Sequence, residues 1–429
     1  MKTRNKHSYV FVQALFVLII IISNSVYAAD TLDIKQCYSA LATNYPLNRQ
    51  AKYLRTANKL RTENIGSAWL PKAELNGQAT YQSDVTSIEI PFPGIKIDKP
   101  SLDQYKVSLD FSQKIYDGSQ IGARKVLENS SLSADLSSVE VEIYKMKQLI
   151  NQYYFAILVL QKNDEILRIK NSELEEKLKT IESAVRNGVM LPSSADALQA
   201  EILKIGQSSS DIKANISNAI SALSELTGMK IGAGVVFRNP NSDFDSQSEV
   251  KRPELNYFAK QTQKLESAGE LAGSQNNPKL FAFAQLGYGK PGFNMLSKDF
   301  KTFYIVGAKF TWNFWDWNSS SRDAETYKAQ QGIVDISRDV FLQNLQIALN
   351  NELNNIKKYE ELLSSDNDIL QLRKKILKSY DSQLANGVIT MTDYLSELNN
   401  EISAEINMEL HKIQLLQSQV NYMFLKGAN

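Results

Sequence analysis

The chain has 429 residues, of which 48 are lysine or arginine and 47 are aspartate or glutamate, so its formal net charge is only +1. A charge balance this close to neutral argues against nucleic-acid binding. The two histidines are His7 and His411, and the single cysteine is Cys37. Because histidine is the usual general base and a common metal ligand, this composition argues against metal sites and Ser-His or Cys-His catalysis. We therefore expect a protein that is not an enzyme and has no catalytic site, metal site or cofactor.

The N-terminal segment has the features of a secretory signal peptide. Three basic residues precede an apolar run from about residue 9 to residue 22, and small residues follow up to Ala28. This order predicts an exported protein from which residues 1–28 are cleaved. The alternative is an uncleaved anchor helix, but the run is shorter than the roughly 18 apolar residues that a spanning helix needs. Insertion of the mature chain into a membrane would therefore require β-strands.

Two landmarks occur twice along the chain at the same spacing. Asp117 and Asp316 each follow an apolar strand-like run, and they are 199 positions apart. The tripeptide Asn-Gly-Val interrupts a long helical pattern at residues 187–189 and again at residues 386–388, which is the same spacing. A constant spacing for two different landmarks predicts a tandem duplication.

Each copy is predicted to contain a helix, two strands, a very long helix, a turn and another helix. The opening helix of the first copy runs from about Leu32 to Ala68 and ends ahead of Pro71, because the residue before proline avoids the α region. The segment between the copies is rich in glycine, asparagine and proline, which predicts a connector. The expected divisions are a first structural repeat over residues 29–228, an equatorial connector over 229–252 and a second structural repeat over 253–429.

The predicted strands alternate apolar and polar residues. From Ala73 to Gln82 the odd positions are apolar or glycine and the even positions are polar, which places the two sets on opposite faces of a strand. The runs that begin near Tyr105, Leu280 and Tyr304 repeat this pattern. In the second copy the opposite faces are less polar, because they include Phe281, Phe283, Phe303 and Ile305.

The length of these runs is consistent with either a membrane-spanning sheet or a soluble sheet. About ten residues is the length of a tilted strand that crosses a bilayer. A soluble antiparallel sheet whose apolar face covers a core explains the strands equally well, and the export signal favours the membrane. Four strands cannot close a barrel, since the small barrels that do close have about eight. If the strands span a membrane, several chains must share one barrel.

The predicted helices are too long for an ordinary globular domain. Residues 119–186 contain no proline, and a helix of that length would extend roughly 100 Å. Apolar residues recur every seven positions, which predicts coiled-coil packing. These heptad positions include Leu160, Leu167, Leu174, Ile181, Leu198, Ile205, Ile356, Leu363, Leu370, Leu377 and Leu384. The Asn-Gly breaks can end a helix, and Ser193 or Ser194 and Thr390 or Thr392 are the predicted N-caps of the returning helices.

The whole mature chain resembles the TolC family of outer-membrane efflux proteins. The resemblance rests on the duplicated order of elements, the Pro-Lys strand starts at 71–72 and 278–279, the strand ends at Asp117 and Asp316, and the Asn-Gly-Val turns. It implies an α+β membrane protein with a TolC-like fold. Three chains with four strands each would form a trimeric 12-stranded β-barrel, continued by a long antiparallel helical coiled-coil tunnel.

The resemblance also implies a function. The chain would be the outer membrane channel, or exit duct, of a tripartite efflux pump or type I secretion system, located in the cell outer membrane with its helical part in the periplasm. Its partners would be two more copies in a homotrimer, a periplasmic adaptor protein, an inner-membrane pump and outer membrane lipid, and no nucleic acid. The hairpin tips would contact the adaptor, and they comprise Asn187, Gly188, Val189, Asn386, Gly387 and Val388. The alternative is an exported periplasmic coiled-coil scaffold without channel activity.

Acidic residues after the second tip are candidates for a periplasmic gate. The family has a pattern like Asp-Val-Leu-Asp here, which Asp393 matches at its first acid, while Ser396 replaces the second and Glu397 lies next to it. Three copies of Asp393 on a threefold axis would form a cation-attracting ring. The alternative is that Asp393 only stabilises a helix N-terminus. The tyrosine and arginine that tie the family's closed gate are absent from the matching positions, Leu384 and Ile389.

The enzyme alternative is an exported hydrolase that uses the paired carboxylates Asp366 and Asp368. Both lie on a helical pattern, where a solvated helix face explains them better than a catalytic pair.

Overall fold

A computed structural model describes residues 31–86, 99–232, 234–241 and 244–428. The predicted signal peptide lies outside the described residues. The elements in chain order are β1 (Thr31–Leu32), α1 (Ile34–Asn44), α2 (Asn48–Ser67), β2 (Lys72–Tyr81), β3 (Asp103–Tyr116), α3 (Gln120–Arg186), α4 (Pro192–Thr227), β4 (Val236–Phe237), α5 (Pro253–Gly273), a short 3-10 helix (Ser274–Asn276), β5 (Lys279–Lys290), β6 (Lys301–Thr311), α6 (Ser319–Ala385) and α7 (Met391–Lys426).

The order of elements repeats along the described chain. Two strands precede α3, and two strands precede α6; both helices have 67 residues. A short turn and a 36-residue helix, α4 or α7, follow in each case. This is the predicted order of elements, while the predicted repeat boundaries stay a prediction. None of the described helices carries an apolar segment long enough to cross a membrane.

The described chain divides into two units. The hairpin unit comprises the first described residues through Asn48, then Glu142–Arg252 and the chain from Leu345 onward. The sheet unit comprises Arg49–Val141 and Pro253–Asn344. Each unit therefore contains segments from both halves of the sequence.

The sheet unit contains a four-stranded antiparallel sheet in the order β2-β3-β5-β6. Leu75 pairs with Leu109, Leu109 with Leu286, and Leu286 with Tyr304, so one row of side chains crosses all four strands. The strands β2 and β6 lie at the edges, and each has one strand partner among the described residues. The apolar alternation that begins near Tyr304 is predicted to continue through Trp312 and Phe314. Since β6 ends at Thr311, these two residues follow the strand rather than belong to it.

The prediction of one opening helix was wrong, because the structure has two. The first ends at Asn44 and the second begins at Asn48, with Pro46 between them. Proline lacks the N–H that a helix interior requires and disfavours the α conformation of the residue before it. Tyr45 is accordingly extended, with φ −61° and ψ 132°.

The first hydrophobic core of the hairpin unit forms around the middle of α3. Tyr154 and Phe155 are its largest fully buried side chains. The Tyr154 hydroxyl lies 2.8 Å from the carbonyl oxygen of Leu32 and 2.7 Å from that of Arg238, where the parallel strands β1 and β4 meet. Cys37 of α1 is fully buried in the same cluster, and burial raises the pKa of its thiol to about 12.

A second core connects α3, α4, α6 and α7 near the hairpin turns. Its buried members include the heptad residues Leu167, Leu174, Ile181, Leu198 and Ile205. The predicted heptad packing is therefore confirmed for these positions. Burial of this apolar stripe stabilises each hairpin, since a fully buried leucine or isoleucine contributes roughly 1.5–3 kcal/mol.

Candidate functional site: the sheet faces and the hairpin tips

One face of the sheet is apolar and exposed. The side chains of Leu75 and Tyr304 are both 76% exposed, and that of Val306 is 73% exposed. The face continues across the other strands through Tyr81, Tyr105, Val107, Phe111, Leu286, Tyr288 and Phe310, which are also exposed. A soluble sheet would bury such a face, whereas a large exposed apolar surface indicates contact with a membrane or another protein.

The opposite face is polar along β2 and β3. Asn76 Nδ2 donates to Asp110 Oδ2 at 2.6 Å, and Gln285 Nε2 donates to Asp110 Oδ1 at 2.5 Å. Lys106 Nζ donates to Gln285 Oε1 at 3.3 Å. These hydrogen bonds connect side chains from three neighbouring strands, so these polar side chains form one continuous network.

Aromatic rings interrupt the polar face along β5 and β6. Phe303 is only 7% exposed, because its ring covers Gly287 on the paired strand and contacts Phe293, whose ring centroid is 4.6 Å away. A Cβ atom at Gly287 would overlap the Phe303 ring, so glycine is required there. Phe283 lies against Gly307 in the same manner. The less polar face that the sequence predicted for the second copy therefore contains two aromatic rings, Phe283 and Phe303, each with a glycine opposite it on the paired strand.

The two aspartates that follow the strands cap the long helices. Asp117 accepts hydrogen bonds from the backbone N–H groups of Ser119, at 3.0 Å, and Ile121, at 2.5 Å. Asp316 accepts one from the backbone N–H of Ser320 at 2.9 Å, and Asn276 also donates to it. Donation from the side chain and backbone of Ser320, and then from Asn276, holds the pKa of Asp316 well below its ordinary value. The duplicated landmark thus has a helix-capping role in both copies.

The first hairpin tip ends α3 with a glycine in the left-handed region. Gly188 has φ +71°, and its N–H donates to the carbonyl of Val185 at 3.0 Å. The N–H of Val189 donates to the carbonyl of Ala184 at 2.9 Å. This pair of bonds is the Schellman arrangement that satisfies the last carbonyls of a helix.

The second tip ends α6 in the same way. Gly387 has φ +69°, its N–H donates to Leu384 at 3.1 Å, and the N–H of Val388 donates to Gln383 at 2.9 Å. All six predicted tip residues are exposed, with Val189 at 72% and Val388 at 70%. The two tips therefore present an apolar side chain at the same place on the same backbone turn.

The helices that return from the tips are capped differently. Thr390 caps α7: its hydroxyl and backbone N–H donate to Asp393 Oδ2 at 2.6 and 2.9 Å, and the Asp393 N–H donates to Thr390 Oγ1 at 3.2 Å. The N-cap of α4 is Leu191, without a side-chain hydrogen bond, and Pro192 occupies the first turn. The predicted caps Ser193 and Ser194 are therefore wrong, because proline sets the start of α4 ahead of them.

The two gate candidates lie in different environments. Asp393 is exposed, and the hydrogen bonds from the side chain and backbone of Thr390 lower the pKa of its carboxyl. Glu397 is buried at 6% exposure and forms an ion pair with Arg373, whose Nη1 lies 3.0 Å from Oε2. Asn400 Nδ2 also donates to Glu397 at 3.2 Å. Of the two acidic side chains, only that of Asp393 is exposed in the chain.

Solved structures share this arrangement of sheet and helices. The crystal structure of the Campylobacter jejuni CmeC outer membrane channel matches with a TM-score of 0.65 at 16% identity, over 92% of this chain and 85% of that chain. The outer membrane protein VceC from Vibrio cholerae matches with a TM-score of 0.67 at 13% identity, over 92% and 96% of the two chains. The outer-membrane channel OprN matches with a TM-score of 0.67 at 15% identity, over 92% and 90%. Neither a protein-family model nor a curated protein sequence matches the chain.

The chain has the TolC-like outer-membrane channel fold. The predicted fold class is thereby confirmed for one chain, with four strands and long helical hairpins. Identities of this size show the fold alone, so the gate and the adaptor-contact residues stay predictions.

Two ion pairs that connect α3 to the second hairpin were not predicted from the sequence. Lys170 Nζ lies 3.2 Å from Glu401 Oε2 on α7, and the Glu401 side chain is only 1% exposed. Lys177 pairs with Asp381 on α6 and lies 4.2 Å from the ring centroid of Tyr394 on α7. No local spacing in the sequence indicates these pairs, because their partners are more than two hundred residues apart.

The two carboxylates of the enzyme alternative lie in different environments on α6. Asp366 is buried, and its Oδ2 lies 2.6 Å from His411 Nδ1, whereas Asp368 is exposed. The prediction of a solvated face was therefore wrong for Asp366 and correct for Asp368. In the part of the chain that the structure describes, no three His, Cys, Asp or Glu side chains come together in a way that could hold a metal ion.

Proposed function

We propose that the chain is one protomer of an outer membrane channel that serves as the exit duct of a tripartite efflux pump or a type I secretion system. The observation that carries the proposal is the exposed apolar face of the sheet, which lies opposite a hydrogen-bonded polar face. This two-faced pattern is typical of strands with lipid on one side and a polar lumen on the other. The polar face would then line the path of the solute.

The sheet edges support a homotrimer. Both β2 and β6 have one strand partner among the described residues, so each leaves an edge to which another strand can add. Backbone groups in a bilayer must be hydrogen-bonded, which for strands requires a closed barrel. Three copies of a four-stranded sheet would close the twelve-stranded barrel that the family resemblance implies.

The helical hairpins would lie in the periplasm and join the partners. Exposed Val189 and Val388 on equivalent turns support a repeated contact with a periplasmic adaptor, which would connect the duct to an inner-membrane pump. The gate would be formed by Asp393, whose carboxylate is exposed, while Glu397 keeps α7 against α6 through Arg373. Three copies of Asp393 would attract cations at the entrance.

The experiment that tests this function compares the two faces of one strand. Val306 is on the exposed apolar face, and the neighbouring Ile305 is on the opposite face. A lysine facing lipid at mid-depth costs roughly 2–4 kcal/mol, whereas a lumen-facing lysine costs little. We therefore expect V306K to reduce assembly in the outer membrane and I305K to assemble and conduct.

The readouts are outer-membrane fractionation, oligomer size in detergent and conductance in planar bilayers. The scaffold alternative predicts a chain that stays in the periplasmic fraction and gives no conductance. A water-soluble monomer that folds without detergent would overturn the channel proposal. If the protein conducts, hypersensitivity of a deletion strain to drugs, metals or detergents would identify the class of exported solute.

A further inference from the structure

The polar face of the sheet carries many more lysines than acids. Strand alternation and the observed register assign its charged residues without ambiguity. The lysines on this face are Lys72, Lys106, Lys114, Lys279, Lys301 and Lys309, and the acids are Glu74 and Asp110. On the apolar face the only charged strand residues are Asp103 and Lys290, which pair with each other at the loop end of the sheet. The excess of positive charge therefore belongs to one face.

Four of these lysines lie together at the end of the sheet that connects to the helices. Lys114 and Lys309 both pair with Phe281, from opposite sides, so the three side chains form one row. Lys72 and Lys279 are the first residues of β2 and β5, at the same end. We call Lys72, Lys114, Lys279 and Lys309 the lysine collar.

The two acids of this face are too few to balance its six lysines. None of the four collar lysines forms an ion pair with a residue that the structure describes. Asp110 is bound by neutral donors, the side-chain amides of Asn76 and Gln285, rather than by a collar lysine. Lys309 is exposed, and Lys114 is partly exposed.

We propose that the lysine collar makes the sheet-walled part of the pore selective for anions, so that anionic solutes are the class that crosses it most readily. The inference rests on the proposed function, which makes this face the lumen wall. Four collar lysines per chain become twelve around the lumen of a trimer. Rings of charged side chains set the sign of the ions that a pore admits, and lumen substitutions tune selectivity without exposing charge to lipid.

The test is the reversal potential of the purified full-length protein in a planar bilayer under a potassium chloride gradient. The measurement uses the D393N background, which removes the proposed cation-attracting ring at the gate, and we expect this pore to prefer chloride. The double variant K114E/K309E should shift the permeability ratio several-fold toward potassium, because it replaces two positive charges per chain by two negative ones. The matched control K114R/K309R keeps the charge and should keep the chloride preference.

A second measurement needs no substitution in the collar. Screening shortens the reach of the collar from about 10 Å at 0.1 M salt to about 3 Å at 1 M. The chloride preference of the D393N pore should therefore decrease as the salt concentration of both chambers rises. A preference of the D393N pore for potassium, or an unchanged ratio when K114E/K309E is added to it, would overturn the inference. Absence of any conductance in the wild-type protein would instead count against the proposed function.

Discussion

Arg373 on α6 binds both carboxylate oxygens of Glu397 on α7, at 3.0 and 3.3 Å. The Glu397 side chain is 7% exposed and that of Arg373 is 39% exposed. Glu397, four residues after the other gate candidate Asp393, is thus engaged within its own hairpin. The ion pair holds α6 and α7 together in one chain, while the gate role of both acids stays a prediction.

The first prediction follows from this pair. E397Q removes the charge of a buried carboxylate while keeping its size, and it leaves Arg373 without its counter-charge. Because Arg373 is partly solvated, we expect a loss of about 1–2 kcal/mol in the free energy of unfolding. Thermal unfolding of the detergent-solubilised protein measures it, with S396A at the exposed neighbouring position as the control. Equal stability of E397Q and wild type would contradict this role.

The second prediction concerns Lys170 and Glu401. Burial alone would lower the pKa of Lys170, but the charges of Glu401 and Glu173 outweigh it and raise the pKa, so the lysine is charged at neutral pH. K170M would leave the buried Glu401 carboxylate unpaired and should destabilise the protein by about 3–5 kcal/mol. The double variant K170M/E401L replaces both charges by apolar groups and should recover most of this loss. A double variant no more stable than K170M would show that the unpaired Glu401 carboxylate is not the cause of the destabilisation in K170M.

The third prediction concerns the turn between α6 and α7. Proline fixes φ near −65° and has no N–H, whereas Gly387 has φ +69° and donates to Leu384. We expect G387P to disrupt the tip and abolish export while the sheet still assembles in the outer membrane. G387N is the matched control, since asparagine tolerates the left-handed conformation. Unchanged export by G387P, measured beside its oligomeric state, would refute the assignment of the tip.

The fourth prediction is a dependence on pH. The hydrogen bonds from Ser320 and Asn276 lower the pKa of Asp316 in the folded protein. A carboxyl whose pKa is lower in the folded protein than in the unfolded chain stabilises the fold when the pH is above 3.8, the ordinary pKa of the group. This contribution is lost as the pH falls through the lower pKa of the folded protein. D316N should therefore be less stable than wild type at neutral pH, and the difference should shrink in strong acid. Midpoints of thermal unfolding across this range test it, with D323N, at an exposed position on α6, as the control.

The features that the sequence predicted well are those with a short period. Alternation of two identified the strands and their faces, and the heptads identified Leu174 and Leu198 as buried positions. These patterns are local, because each residue's environment follows from the geometry of its own element. Pro46 was present in the sequence, but the predicted opening helix ran through it, so the break between α1 and α2 was missed.

The features that the sequence did not predict depend on how elements are registered against one another. The Arg373 and Glu397 pair requires the exact turn length after α6, and the Lys170 and Glu401 pair requires the packing of two separate hairpins. The lysine-rich face of the sheet was partly visible in the sequence, since alternation places Lys106 and Lys309 on polar rows. Its excess charge became clear only when the register of β3, β5 and β6 put lysines from both copies on one face.

For the proposed channel, the two edge strands would impose an order on biogenesis. In hydrocarbon, each backbone N–H or C=O group without a hydrogen bond costs several kcal/mol, and a lone protomer would carry such groups along the outer sides of β2 and β6. Entry of single chains into the bilayer would therefore be unfavourable, and the chains would meet before or while they enter it. The rate of insertion would then rise more steeply than in proportion to the amount of chain, so low expression would limit insertion before it limits folding.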